Sequence, residues 1–196
     1  MRKNVLIIFY QNFEPGKVNP RLASAVGEEK AIAVYHYLVN ATREITDDLP
    51  VERVVFYSDR IERDDTWDSA TYKKELQVGD DPGTRMRNAF AWAFNSGYSN
   101  ACIISTDCYG LTGEIVMKAI EFLDEGDAII GPAKDGGYYL LGLTRIYPDL
   151  FANKNWGTYT VLDDTLQDFD RLELQYGKLP VLVKINEKSD LPSPLR

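Results

Sequence analysis

Two short stretches of this chain combine carboxylates with accessible backbone in a pattern suited to phosphate chemistry. Asp107 follows the apolar run Ala101 to Ile104 in Ser105-Thr106-Asp107-Cys108, and Asp135 precedes two glycines in Gly131-Pro132-Ala133-Lys134-Asp135-Gly136-Gly137-Tyr138-Tyr139. A carboxylate beyond the carboxyl end of a buried strand lies where α/β sheets bind ligands, and a Gly-Gly pair lets a ligand approach the backbone closely. These are parts of a site for a nucleotide diphosphate, and they point to a nucleotide-dependent transferase. Each stretch also has a purely structural reading. Asp107 is a common residue type for a turn into a helix, and Asp135-Gly136-Gly137 suits a tight turn between strands.

Such residues need strands to carry them. Val5 to Tyr10 is a continuous apolar run, as a parallel strand covered on both faces requires. Between Gly27 and about Thr46, residues Ala31, Val34, Tyr35, Leu38, Ala41, Thr42 and Ile45 recur at helical spacing. A strand over Val51 to Tyr57 follows, then a charged, irregular stretch from Ser58 to Lys74. Pro82 and Gly83 open a helix with Met86, Ala89, Phe90, Ala93 and Phe94 on one face and a stop near Gly97. Asn100 to Ser105 is a strand, Thr112 caps a helix to about Asp124, and Ala128 to Ile130 and Tyr138 to Leu143 are strands. Pro148 opens a short helical piece, Thr158 or Thr160 starts a helix ending near Gly177, and Val181 to Ile185 is the last strand. Alternation of strands and helices predicts an α/β fold: one domain over 1–196, a three-layer Rossmann-like sandwich with a mostly parallel sheet and helices on both faces.

Composition narrows the function. The 196 residues hold 30 acidic against 22 basic side chains, a formal charge of −8, with no Lys/Arg-rich block, so a nucleic-acid polymer is excluded as partner. The run Val5 to Tyr10 is too brief for a signal h-region or a membrane span, and a cytoplasmic location is expected. Cys102 and Cys108 are too few for a disulfide framework or a zinc site. His36, the single histidine, sits between Tyr35 and Tyr37 with no Cys or His near it and reads as structural. Without other histidines or a Gly-x-Ser-x-Gly elbow, hydrolase triads are disfavoured.

The segments Phe9 to Leu22, Gln77 to Met86, Ser105 to Leu111, Gly131 to Leu143, Trp156 to Thr165 and Lys184 to Leu191 together resemble a family of small bacterial glycosyltransferase-like proteins. That family is similar to the nucleotide-diphospho-sugar transferases of GT-A fold and, more distantly, to guanylyltransferases of molybdopterin and phospholactate. The resemblance implies a nucleotide-sugar or nucleotide donor and a small-molecule acceptor, with Mg2+ or Mn2+ as possible cofactor. By the same resemblance, Asp107 would be a catalytic metal ligand alongside Asn186, and Asp135 would bind a hydroxyl or act as general base. Gly16, Lys17, Arg21, Gln77, Arg85, Thr106, Gly136, Gly137, Trp156, Thr158 and Lys184 would bind donor or acceptor. Alternatives stay open for several of these: Arg21 as a surface residue, Arg85 paired with Asp81, Trp156 as part of the core.

The chain departs from the family pattern at three places. The first loop usually reads Lys-x-Pro-x-Pro-Gly-x-Val-Lys-Thr-Arg-Leu, where this chain has Gln11, Phe13, Asn19 and Pro20 in place of Lys, Pro, Lys and Thr. Pro82 replaces a Leu. Near the carboxyl terminus the family's Asp-x-Asp-Thr becomes Lys184-Ile185-Asn186-Glu187, which removes two carboxylates and puts a cation beside the expected metal position. Residues two apart on a strand share a face at roughly 7 Å, where two unit charges repel by about 2 kcal/mol at an effective dielectric of 20. Weak or absent metal dependence is therefore expected if Lys184 faces the site, and none of this follows if it turns to solvent. A nucleotidyltransferase, or a catalytically weakened relative that binds nucleotide or sugar, is the alternative function.

Overall fold

The computed structural model describes residues 3–196. In chain order the elements are β1 (Asn4–Tyr10), α1 (Pro20–Val26), α2 (Glu28–Thr46), β2 (Glu52–Tyr57), β3 (Lys73–Leu76), α3 (Pro82–Asn95) and β4 (Asn100–Ser105). They continue with β5 (Cys108–Tyr109), α4 (Gly113–Phe122), β6 (Ala128–Pro132), β7 (Tyr138–Leu143), α5 (Val161–Arg171), β8 (Tyr176–Lys178) and β9 (Val183–Lys184). Seven strands form the main sheet in the order β3-β2-β1-β4-β7-β6-β8, and only β7 runs antiparallel to its neighbours. This is the mostly parallel α/β fold expected.

The apolar run of β1 is explained by its central place, with Val5 and Ile7 on one face of the sheet and Leu6, Ile8 and Tyr10 on the other. The first face packs on Met86, Ala89, Phe90 and Ala93 of α3 and Phe169 of α5. The second packs on Val39 of α2 and Val116, Ala119 and Ile120 of α4. β1 is bonded to β2 on one side and β4 on the other, so the chain's crossovers diverge there. The crevice beyond the carboxyl ends of β1 and β4 is the topological switch point, where α/β sheets bind ligands.

Four expectations are corrected. The loop after β1 contains α1, which Asn19 caps by accepting from the Leu22 amide while Pro20 takes the first helical position. The stretch expected to be irregular through Lys74 gives way to β3 from Lys73, an edge strand paired with β2. The helix expected to reach Gly177 ends at Arg171, because Glu173 adopts φ 53 and turns the chain into β8 beside β6. The strand expected over Val181 to Ile185 is regular only at Val183–Lys184, and it pairs with β5 away from the main sheet. Among the described residues no helix is long and apolar enough to cross a membrane.

Candidate active site

The site begins where β4 ends. Past Ser105 the chain passes through Thr106 and Asp107 into β5, whose antiparallel register sets Cys108 opposite Lys184. The amide of Ile185 donates to the Asp107 carbonyl at 2.9 Å, which locks the two strands together beside the carboxylate. Lys184 Nζ therefore lies 3.3 Å from Asp107 Oδ2, and the Ser105 hydroxyl donates to Oδ1. The solvent-facing alternative for Lys184 is thereby overturned: its side chain is only 21% exposed. The Asp107 carboxylate is the main cause of a raised Lys184 pKa, with burial opposing it and Asp135 adding to it.

Asp135 reaches the same place from the loop between β6 and β7. Its Oδ1 accepts from the Gly137 amide at 2.9 Å, and its Oδ2 accepts from Asn186 Nδ2 at 2.8 Å. Gly136 has φ +83, and a β-carbon there would fall 2.1 Å from the Tyr159 carbonyl oxygen, so only glycine lets this loop lie against residues 156–160. Asn186 is fixed in turn by its own amide, which donates to Asp190 Oδ2 at 3.0 Å. Asn19, standing where the family pattern has Lys, donates from Nδ2 to the Ile185 carbonyl at 2.7 Å. It ties the first loop to the strand end that carries Lys184 and Asn186.

These segments wall a cleft of about 960 Å3 that includes Arg21, Lys134, Asp135, Gly137, Trp156, Thr158, Tyr159, Lys184 and Asn186. Its size suits a nucleotide-sized ligand. A smaller recess of about 210 Å3 adjoins it through shared Asn19, Pro20 and Asn186, and holds Lys17, Thr106 and Asp107 on its walls. Trp156 is half-buried: its indole covers Gly83 at the start of α3 and also lines the cleft.

Other expected contacts lie elsewhere. Gln77 donates its carboxamide to the Phe56 carbonyl at 2.8 Å and the Tyr10 carbonyl at 3.3 Å, bracing strand ends instead of facing the cleft. Arg85 Nε donates to the Gly79 carbonyl at 2.9 Å; its expected alternative partner Asp81 instead caps α3 through the Thr84 amide at 3.0 Å. The Gly16 amide donates to Glu28, and Lys17, 74% exposed, pairs with Glu14 at 2.5 Å, so acidic side chains compete with phosphate for both. Conversely, Lys134 and Tyr159 face the cleft though the motif reading passed over them. Both immediately adjoin residues that it did single out, Asp135 and Thr158.

The chain belongs to the family described as uncharacterized protein conserved in bacteria (DUF2064), whose model matches residues 41–158. It is similar to a provisionally assigned nucleotide-diphospho-sugar transferase from Desulfovibrio desulfuricans G20, at 31% identity and TM-score 0.87, covering 95% of this chain and 84% of that one. The fold is shared with 4-diphosphocytidyl-2C-methyl-D-erythritol synthase from Anaerococcus prevotii, at 12% identity and TM-score 0.59, covering 96% and 92% of the two chains. It is shared also with glucosyl-3-phosphoglycerate synthase from Mycobacterium tuberculosis, solved with Mn2+, UDP and glucosyl-3-phosphoglycerate, at 15% identity and TM-score 0.53, covering 96% and 74%. No curated protein matches.

The residues present do not fit a divalent metal. Asp107 already accepts from Lys184 and Ser105 on its two oxygens, and Asn186 points its N–H at Asp135. An ion about 2.1 Å from Asp107 Oδ2 would stand no more than about 5.4 Å from the Lys184 ammonium, whose repulsion of about 6 kcal/mol or more at an effective dielectric near 20 offsets a large part of the ion's attraction to the carboxylate. Among the described residues no cluster of three or more His, Cys, Asp or Glu side chains could hold an ion.

Proposed function

We propose that this chain is a glycosyltransferase that takes a sugar from a nucleotide-diphospho-sugar donor and gives it to a small-molecule acceptor. The observation that carries this reading is the convergence of Arg21, Asp135, Lys184 and Asn186, drawn from remote segments, on one cleft at the sheet's switch point. The likeness to a provisionally assigned nucleotide-diphospho-sugar transferase over nearly the whole chain supports the same class. Asp135, held by the Gly137 amide and Asn186, is oriented to take the acceptor's hydroxyl proton as that oxygen bonds to the anomeric carbon. The bond from that carbon to the diphosphate breaks in the same step, and the charge left on the diphosphate meets the cations of the cleft wall.

The pairing of Asp107 with Lys184 favours a second reading, a relative that binds nucleotide or sugar with weakened chemistry. A thermal-shift screen of nucleotides and nucleotide sugars separates these from a protein with no nucleotide role. Stabilisation by one donor series, followed by acceptor-dependent consumption of that donor, is expected of the transferase. Stabilisation without consumption indicates the weakened relative, and no stabilisation by any of them contradicts both.

A further inference from the structure

We infer that Lys184 is the cation that meets the donor's diphosphate in this chain, so that nucleotide binding requires no divalent metal. The inference rests on the nucleotide-sugar reading above and deepens it by naming how the phosphates are held. An ammonium has three donors, and Asp107 takes only one of them at 3.3 Å, which leaves two for phosphate oxygens in the cleft that Lys184 lines. Asp107, with its other oxygen engaged by Ser105, is thereby a positioning residue: it fixes where the ammonium stands.

The surrounding cations are disposed to the same end. The cleft wall carries Arg21, Lys134 and Lys184, and among the described residues neither Arg21 nor Lys134 is in an ion pair. Lys17 is held by Glu14 and contributes less. Asp135, Glu187 and Asp190 line the same wall, so its formal charges cancel, and it is the local placement of Lys184, with Arg21 and Lys134 elsewhere on that wall, that offers cations to a diphosphate without a divalent ion. Two of the chain's departures from the family pattern also fit together on the fold. Asn19 contributes a neutral clamp on Ile185, and Lys184, one residue before, supplies the charge.

Calorimetric titration of UDP, CDP, GDP and ADP into the whole chain, in excess EDTA and again in excess MgCl2, tests this. One nucleotide is expected to bind with affinity equal within about twofold in both conditions. Lys184→Met should weaken it by about tenfold or more in both, Lys184→Arg should retain most of the binding, and Lys184→Asp should bind weakly in EDTA and recover in MgCl2. Melting curves of each variant establish that it is folded, and the arginine variant keeps the test open if the methionine variant is not. Wild-type binding that needs Mg2+, or undiminished binding by folded Lys184→Met, overturns the inference while leaving the transferase reading standing. Failure of all four nucleotides in both conditions overturns that reading and the inference with it.

Discussion

The indole of Trp156 lies directly over Gly83, so closely that a β-carbon there would come within 2.4 Å of Cζ2. The glycine in Asp81-Pro82-Gly83 thus makes room for an aromatic that forms part of the cleft wall. Gly83→Ala is expected to push Trp156 aside, lowering stability by about 1 to 3 kcal/mol and shifting the tryptophan fluorescence. Chemical denaturation and emission spectra check this; an unchanged midpoint and spectrum would show that the contact is slack.

The loop bearing Trp156 is anchored by Lys154, which pairs with Asp168 of α5 at 2.5 Å, the two side chains being 2% and 17% exposed. Lys154→Met should cost about 3 kcal/mol, the lower end for breaking a buried pair, because Arg171 still faces Asp168 at 2.8 Å. Burial alone would raise the Asp168 carboxyl, but hydrogen bonds from Lys154 and Arg171 outweigh it and hold it below the usual carboxylate range. A depressed folded-state value means the pair stabilises the fold above the ordinary Asp range and loses that contribution as the pH falls below about 4. Urea midpoints measured from pH 7 to pH 3 should therefore decline more steeply for wild type than for Asp168→Asn; parallel curves would contradict the assignment.

Asp135→Asn keeps an oxygen to accept from the Gly137 amide, turns its new NH2 toward Asn186, whose carboxamide must flip to accept from it, and removes the base. Turnover is expected to fall by about 100-fold to 10,000-fold with donor affinity little changed. Steady-state kinetics against calorimetric donor affinity measures the split. Turnover within a few-fold of wild type would remove Asp135 from the chemistry.

Burial pushes both thiols, Cys102 and Cys108, up to about 12, with the Asp107 carboxylate adding to the effect at Cys108. Neither should react with a disulfide reagent at pH 8 in the folded protein, and both should react in denaturant. Rapid labelling of Cys108 in the native state would mean that β5 opens and releases the strand pair that positions Lys184.

Where the sequence was transparent, burial on both faces of the sheet made it so. The strand expected at Asn100 to Ser105 matches β4 residue for residue, because a central strand covered on both faces carries an apolar run, here Ala101 to Ile104. The edge strand β3 was hidden in Lys73-Lys74-Glu75-Leu76, where the Lys74 side chain is buried by pairing with Asp65 at 2.8 Å and donating to the Glu62 carbonyl at 2.8 Å. The prolines were partly informative: Pro20 and Pro82 depart from the family pattern, and both occupy helix starts next to a capping Asn19 or Asp81. Asp107, Asp135, Lys184 and Asn186 stood out individually. That Lys184 would pair with Asp107 depended on the register of β5 against β9, which no local spacing encodes.

A crystal structure of the chain with its preferred nucleoside diphosphate is the most direct measurement. The diphosphate should lie in the cleft beyond β1 and β4, with its oxygens in hydrogen-bond reach of Lys184 Nζ and with Asp107 still paired to that ammonium. A diphosphate bound on another surface, or a metal ion seated on Asp107 with Lys184 swung away, would contradict the account.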